Sequence, residues 1–215
     1  TLDYLFTSGI SQVINNFNNT ESIAVALSGG VDSSVVTAYT HAVNPKLKIH
    51  CYTTGTESSI EFNYAKICSD YIGGLYHKIE MSKESLIEDI MNMVYHNEMF
   101  DAFSLEVYAP LCSIYKASKE HSNILLTGVG ADNIMSGYTG DRTDLDGITL
   151  LTSKRAYWSG AMLPYCAWSK GIVEYSPFIC NKLTSFLQNI NPDIKNYKDV
   201  NKYLLKALAQ RKDFI

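Results

Sequence analysis

The chain has 215 residues, in which 18 lysines and arginines stand against 22 aspartates and glutamates, for a formal net charge of −4. That length is enough for a buried core in one domain, or in one domain with a small helical lobe. The basic residues are dispersed, so we expect neither a nucleic-acid groove nor a surface for anionic membranes. No segment has the length and apolarity of a bilayer-spanning helix.

The five cysteines form no Cys-x-x-Cys pair, which argues against both a zinc site and a disulfide framework. The first basic residue is Lys46, so the charged start of a secretory signal is missing. We therefore expect a reduced, cytoplasmic protein. The start at Thr1 fits removal of an initiator methionine or loss of an N-terminal region.

The first predicted elements are a helix, a strand and a second helix. Apolar residues recur at three- and four-residue spacing over residues 2–17, which predicts an amphipathic helix. The apolar run from Ala24 to Leu27 is typical of an inner strand of a parallel sheet. A helix is expected to follow at roughly 33–43.

Strands and helices then alternate. Strands are predicted at 47–52, 75–79 and 124–126, and helices at roughly 58–71, 82–95 and 104–119. Ser58 is expected to open the first of these helices through a capping box with Glu61, and Ser82 to cap the second.

This order predicts one α/β domain: a parallel twisted sheet with helices on both faces, followed by an α-helical C-terminal region. We place the α/β core at about residues 20–140 and the helical region at about 142–215, where the strand pattern ends.

The segment Ser-Gly-Gly-Val-Asp-Ser-Ser, residues 28–34, follows the first predicted strand. Its glycines let the backbone approach a ligand, and the next helix presents unpaired N–H groups to it. Its hydroxyl donors are Ser28, Ser33 and Ser34. Asp32 would be misplaced beside phosphate unless it holds Mg²⁺, which prefers one or two carboxylates plus phosphate oxygens. An ordinary turn before a helix is the alternative.

A second strand, residues 124–126, leads into Thr-Gly-Val-Gly-Ala-Asp, residues 127–132. Ligands of open α/β sheets bind at the carboxyl ends of the strands, where both loops are expected. Asp32 and Asp132 would then face one Mg²⁺ from two strands. Taken singly, either aspartate could instead cap a helix.

Four segments in this order carry a family resemblance: residues 28–34, 54–62, 95–101 and 127–132. The first matches the S-G-G-x-D-S pattern of the N-type ATP pyrophosphatases, which cleave ATP between the α and β phosphates. Together the four resemble the synthetase domain shared by asparagine synthetases, β-lactam synthetase and carbapenam synthetase. The second and fourth are closer to the two lactam-forming enzymes. The resemblance covers about residue 20 to the C-terminus and implies an adenine nucleotide α-hydrolase-like fold.

The resemblance implies ATP and Mg²⁺ as cofactors and carries over a set of site residues. The matching ATP-binding positions are Leu27, Ser28, Gly29, Gly30, Asp32, Ser33, Ser34, Thr54, Gly55, Thr127 and Gly128. Asp32 and Asp132 match the Mg²⁺ ligands. These families also carry an N-terminal glutaminase-like domain, for which the chain has no room. A partner chain that supplies such a domain, or a homo-oligomer, stays open.

Lys202 is the predicted catalytic residue. Apolar residues at 200–208 mark a helix face, with Asp199 as its expected N-cap and Lys202 in the first turn. A cation there is opposed by the helix dipole, although a solvated lysine would give the same pattern. In the resembled families a lysine in this Lys-x-x-Leu-Lys/Arg setting neutralises charge on the acyl-adenylate and pyrophosphate.

Two positions depart from the families' pattern. Val129 stands where the lactam-forming enzymes have tyrosine and asparagine synthetase has glutamate, and Ala161 stands at a later glutamate position. Valine and alanine cannot move a proton. We therefore expect an amine nucleophile that needs little enzymatic help.

Two further groups have two interpretations each. Glu98 and Asp101 could bind substrate or cap local structure. The aromatic residues Tyr157, Trp158, Tyr165 and Trp168 are favoured as core, with a substrate pocket as the alternative.

The function predicted from these observations is an ATP-dependent ligase that adenylates a carboxylate and forms an amide or lactam with an amine, on a small, amino-acid-derived substrate. An enzyme that adenylates a tRNA base is one rival, but it would need a basic appended domain or Cys-x-x-Cys pairs. A non-catalytic ATP-binding subunit is the other, suggested by Val129 and Ala161.

Overall fold

The computed structural model describes residues 1–17, 21–135, 165–197 and 200–214. The helices are α1 (Leu2–Asn16), α2 (Val31–Val43), α3 (Glu61–Tyr71), α4 (Lys83–Asn97), α5 (Ala102–Ser118), α6 (Ala131–Ile134), α7 (residues 165–169), α8 (Asn181–Gln188), α9 (Pro192–Lys195) and α10 (Tyr203–Arg211). The strands are β1 (Ser22–Ala26), β2 (Lys48–Gly55), β3 (Leu75–Glu80), β4 (Ile124–Leu126) and β5 (Val173–Tyr175). Across these described ranges, no helix is long and apolar enough to cross a membrane.

The five strands form one parallel sheet in the order β3-β2-β1-β4-β5. The chain builds outward from β1 to β3 on one side, and then returns to add β4 and β5 on the other. This reversal leaves a crevice between the carboxyl ends of β1 and β4, where open α/β sheets bind their ligands. The predicted parallel sheet is confirmed.

Helices cover both faces of the sheet, as the sequence predicts. Successive residues of a strand point to opposite faces. Ile23 and Val25 join a buried cluster that contains side chains of α1, α2, α8 and α10. Ala24, between them, joins a second cluster with side chains of α4 and α5.

The structure corrects the expectation of only helices after residue 142. Residues 173–175 form β5, which pairs in parallel with β4 through Ile124 and Val173. A strand of three residues, with the half-buried Glu174 at its centre, is too short to show alternation. Residues 136–164 lie outside the described ranges, so the helical prediction there stays a prediction.

One of the two predicted serine caps is confirmed. The Ser82 hydroxyl accepts a hydrogen bond from the Ser85 backbone N–H at 3.0 Å, and the Ser85 hydroxyl accepts one from the Ser82 N–H at 3.1 Å. The capping box at Ser58 is wrong, because α3 begins without a side-chain cap. The Ser59 hydroxyl instead accepts from the Thr56 N–H at 3.0 Å and closes a turn before the helix.

The expectation that the aromatic group belongs to the core is wrong for the two members that are described. Tyr165 and Trp168 are 59% and 61% exposed, and their rings meet edge to face. Tyr157 and Trp158 lie outside the described residues. Side chains at helical spacing mark a face, and that face here is turned outward.

Candidate active site

A cavity of about 340 Å³ opens at the crevice between β1 and β4. Its polar wall follows the strand ends and contains Leu27, Ser28, Asp32, Ser33, Thr53, Thr54, Thr127 and Gly128. Its apolar wall is formed by Tyr52 of β2 and by Val107, Pro110, Leu111 and Ile114 of α5. The cavity is within the size range of small-molecule sites and combines an apolar surface with a few converging polar groups.

The loop after β1 is held by its own hydroxyls. The Ser28 N–H donates to the Ser33 hydroxyl at 3.1 Å, and the two hydroxyls lie 3.1 Å apart. The Gly30 N–H donates to the Ser28 hydroxyl at 3.3 Å. These bonds bring the loop against the N-terminus of α2, whose unpaired N–H groups favour an anion.

Four of the predicted ATP-binding residues do not line the cavity: Gly29, Gly30, Ser34 and Gly55. Gly29 has φ +77°, and a Cβ on it would stand 2.5 Å from the Cβ of Tyr64. The buried Ser34 hydroxyl interacts with the Cys68 thiol. Gly29 and Ser34 therefore pack the loop against α3.

The loop after β4 is fixed to β5. The Thr127 N–H donates to the Tyr175 carbonyl at 3.0 Å, which continues the strand pairing beyond the end of β4. The Ser176 hydroxyl donates to the Val129 carbonyl at 2.6 Å. Asp132 follows in the first turn of α6. The missed strand β5 is therefore what holds this loop in place.

Lys202 links the two predicted metal ligands. Its Nζ lies 2.5 Å from Asp32 Oδ2 and 2.5 Å from Asp132 Oδ1. The residue precedes α10 as its N-cap, with φ 55°, so its predicted place in the first helical turn is wrong. The Lys202 N–H donates to Asn196 Oδ1 at 3.1 Å and supports this left-handed conformation. Asp199, the predicted cap, lies outside the described residues.

The pKa values of Asp32 and Lys202 are both shifted. Burial raises the pKa of Asp32, and the lowering by Lys202 does not cancel that effect. Burial alone would lower the pKa of Lys202, but the attraction of Asp32 and Asp132 raises it above its ordinary value. Lys202 is therefore a cation at neutral pH, with a side chain that is only 13% exposed.

The donors fit a divalent cation. Both carboxylates reach one point, since each has an oxygen 2.5 Å from the same nitrogen. Asp32 Oδ1 and Thr54 Oγ1 are buried, and neither has a hydrogen-bond partner among the described residues. Oxygen ligands of this kind are those that Mg²⁺ prefers. In this structure the Lys202 ammonium supplies the positive charge between the two carboxylates.

For Glu98 and Asp101, the structure favours a role in capping helices over a role in binding substrate. Asp101 is the N-cap of α5, and its Oδ1 accepts from the Ser104 N–H at 2.8 Å. Glu98 is exposed and ends α4 in the left-handed conformation, with φ 51°. Neither residue lines the cavity.

The sequence did not predict that α5 forms a wall of the cavity. It also did not predict that Glu61, at the start of α3, lines the cavity. Val107, Leu111 and Ile114 repeat at three- and four-residue spacing, a signal that indicates a buried helix face but not what it faces. Pro110 lies inside α5. Proline is unusual in a helix interior, so this residue was the one local sign that α5 is not an ordinary core helix.

Among curated proteins, asparagine synthetases are similar to this chain over part of their own length. The glutamine-hydrolysing asparagine synthetase 1 of Lotus japonicus is 25% identical over 215 aligned residues, which cover 90% of this chain and 36% of that protein. Asparagine synthetase 1 of Arabidopsis thaliana is 29% identical over 135 residues, which cover 59% of this chain and 23% of that protein. The chain thus spans about a third or less of the length of these relatives.

Two solved structures are similar to this chain over nearly its whole length. The NH3-dependent NAD synthetase from Campylobacter jejuni has a TM-score of 0.47 at 15% identity, covering 99% of this chain and 94% of the other. The NMN synthetase from Francisella tularensis has a TM-score of 0.46 at 13% identity, covering 99% and 91%.

The family comparison is more specific. The model of the family described as asparagine synthase matches residues 13–162, which include both loops of the cavity. Since the match spans more than half of the chain's 215 residues, the chain belongs to the asparagine synthase family.

Proposed function

We propose that this chain is an ATP-dependent ligase, which adenylates a substrate carboxylate and then joins the acyl group to an amine. The observation that carries the proposal is the convergence of Asp32, Asp132 and Lys202 beside the crevice between β1 and β4. A structural role alone does not require two carboxylates and a lysine to meet at the edge of a cavity.

The two walls of the cavity suggest how ATP lies in it. The apolar side of α5 suits the adenine ring, and Thr54 on the polar side has a buried hydroxyl that needs a partner. The phosphates would then extend toward Ser28 and the N-terminus of α2, a helix of 13 residues. This orientation brings the α phosphate toward Lys202.

In the first step a carboxylate oxygen of the substrate attacks the α phosphorus, and the bond from that phosphorus to pyrophosphate breaks. Negative charge grows on the leaving pyrophosphate and on the acyl-adenylate. The Lys202 ammonium is positioned to offset it, and fixed positive charge at such a point is often the largest single catalytic term. Mg²⁺, when bound by Asp32 and Asp132, would neutralise phosphate charge and orient the leaving group.

In the second step the amine nitrogen attacks the acyl carbon, and the C–O bond to AMP breaks. AMP leaves with one oxygen of the former carboxylate, and the amine loses a proton. Val129 lines the cavity without a group that could take that proton, and Ala161 lies outside the described residues. The proton therefore passes to substrate, water or another residue, and the product is an amide or, if both groups share one molecule, a lactam.

The test is the identity of the products. MgATP is incubated with the full chain and L-aspartate plus ammonium chloride, and then with amino acids that carry both a free amine and a free carboxylate. An ¹⁸O-labelled carboxylate should transfer one label to AMP, with pyrophosphate released in equal amount. The matched control is Lys202→Ala, which should bind α,β-methylene-ATP but release little pyrophosphate.

Release of ADP and phosphate in place of AMP and pyrophosphate would falsify the adenylation step. If the chain binds α,β-methylene-ATP tightly but releases no pyrophosphate from ATP with any acid, the result would instead favour a non-catalytic ATP-binding subunit. Val129 suggests that interpretation.

A further inference from the structure

A second cluster of chemically capable side chains lies beside Tyr52, which also lines the cavity. His50 is the third residue of β2, His77 is the third residue of β3, and His121 belongs to the turn between α5 and β4. One ring nitrogen from each lies within 4.8 Å of those of the other two. His50 Nδ1 and His77 Nε2 are 2.9 Å apart.

The fold brings these three rings together. His77 pairs across the sheet with Tyr52, so His50, Tyr52 and His77 share one face of neighbouring strands. The Ser22 hydroxyl donates to the His121 carbonyl at 2.5 Å and ties the turn to the start of β1. Three segments distant in sequence therefore present imidazoles to one point.

We propose that His50, His77 and His121 form a binding site for one divalent transition-metal ion of the zinc class. Neutral imidazole is a preferred ligand for such ions, and three histidines with an open fourth position form a recurrent zinc site. Tetrahedral bonds of about 2.0–2.1 Å require ligand nitrogens about 3.3 Å apart. One pair of ring nitrogens is 2.9 Å apart and all three lie within 4.8 Å of one another, so modest shifts reach that separation.

Tyr52 supplies the outer contact that a metal-binding histidine usually has. Its hydroxyl lies 2.7 Å from His121 Nδ1 and 3.5 Å from the Ala117 carbonyl oxygen. When the hydroxyl points toward that carbonyl, it accepts the proton of Nδ1–H, and the Nε2 lone pair of His121 is left for a ligand. Such partners fix the tautomer and raise the basicity of the coordinating nitrogen.

Access and charge are compatible with entry of an ion. His121 is exposed and His77 is half-buried, whereas His50 is buried. The negative charge of Glu120 acts on His77 and favours a bound cation, whereas the positive charge of Lys48 acts on His50 and opposes one.

Binding requires adjustment of more than one ring, since His50 and His77 are stacked with centroids 5.2 Å apart and planes inclined by 16°. The rings of His50 and His121 are stacked, with centroids 4.1 Å apart and planes inclined by 28°. A coordinating lone pair lies in the plane of its ring, so the His121 side chain must rotate to point at a shared ion. Its exposed position leaves room for that rotation. The bound ion would then join the edge strand β3, the inner strand β2 and the α5–β4 turn.

The experiment measures metal binding directly and does not depend on ATP chemistry. Zinc sulfate is titrated into the EDTA-treated full chain by calorimetry, and unfolding temperatures are recorded with and without zinc. We expect about one ion per chain, with affinity at least about tenfold lower in His77→Ala and in His121→Ala. His96→Ala is the matched control, because His96 is exposed on α4, away from the cluster.

A cobalt(II) spectrum separates this site from the cysteines. Ligand-field bands without a thiolate charge-transfer band, reduced in His121→Ala, would support the three-histidine site. A thiolate band, no zinc binding by the parent chain, or equal binding by the parent and both variants would overturn the proposal. His121 is a surface residue, so its variant tests the site even if His77→Ala fails to fold.

Discussion

Gly128 lies so close to the start of α2 that a Cβ atom on it would stand 2.8 Å from the backbone nitrogen of Ser33. Real Cβ atoms do not approach backbone atoms this closely, so any side chain at position 128 must push the two segments apart. The contact joins the loop after β4 to the loop after β1, and both loops line the same cavity. Glycine is therefore needed here for the approach of two backbones.

Gly128→Ala should lower the affinity for ATP by about ten- to hundredfold, the effect of about 1.4–2.8 kcal/mol of lost binding free energy. The physical cause is separation of the two loops. Calorimetric titration with α,β-methylene-ATP measures it. Gly73→Ala is the control, since that residue has φ +67° and no neighbour within 4 Å, so it is strained without touching the cavity. Equal losses in both variants would point to general destabilisation.

Lys202→Ala should reduce turnover on the order of 10²–10³, the usual cost of removing one electrostatic stabiliser. ATP binding should change little, because Lys202 itself does not line the cavity. The measurement is pyrophosphate release at saturating ATP. Lys212→Ala serves as the control, since Lys212 ends α10 and pairs with Asp3 at 2.9 Å. Near-normal turnover in Lys202→Ala would show that Lys202 has no catalytic role.

Asp132→Asn should raise the Mg²⁺ concentration needed for half-maximal turnover, because a neutral amide oxygen replaces a charged ligand. The fold should survive, since the Asp132 side chain is 42% exposed. Turnover is followed across a Mg²⁺ titration at fixed ATP. Full activity at limiting Mg²⁺ would rule out a metal shared by Asp32 and Asp132. Asp193→Asn, on α9, is a control for loss of one exposed carboxylate.

The sequence predicted the part of the fold that is built from local patterns. Apolar runs located β1 and β4, and the loops that follow them carry Asp32 and Asp132 to the same edge of the sheet. That prediction needed only the parallel direction of the strands and the place of each loop after its strand.

The remainder depended on tertiary contacts. The conformation of Lys202 rests on a hydrogen bond from its N–H to Asn196, six residues away, whereas helix periodicity placed it inside a turn. β5 forms because it pairs with the edge of β4. Its three residues are too few for an alternating apolar pattern that would predict a strand. The apolar face of α5 was visible in the sequence, but apolar spacing does not distinguish a core from a cavity wall.

Glu174→Gln should remove a pH-dependent loss of stability. Burial raises the pKa of Glu174 to about 7, although the hydrogen bond from the Tyr115 hydroxyl lowers it. Between the ordinary value of 4.5 and about 7, the folded protein keeps a proton that the unfolded chain has released. This group's contribution to the free energy of unfolding therefore falls as pH rises through that window.

The amide introduced by Glu174→Gln stays neutral and can still accept from the Tyr115 hydroxyl, so the variant avoids this decline. Relative to the parent, it should gain on the order of 1–3 kcal/mol between about pH 4.5 and pH 8. Unfolding by urea at several pH values measures the difference. Glu106→Gln, an exposed change on α5, should show no such trend. A difference between Glu174→Gln and the parent that is constant with pH would contradict the prediction.

Val129→Tyr together with Ala161→Glu should do little for the native reaction. Val129 lines the cavity, and neither original side chain can accept a proton from the attacking amine. An amine with an ordinary pKa near 10.4 is only about one part in 10³ free base at pH 7, so unaided attack would be slow. We therefore expect an amine of lowered pKa, or one that loses its proton to substrate, water or another residue. Turnover of the double variant is measured against pH with the acid and amine that support pyrophosphate release. A large rise at neutral pH would show that the enzyme lacked a base it needed, and this account of the nucleophile would be abandoned.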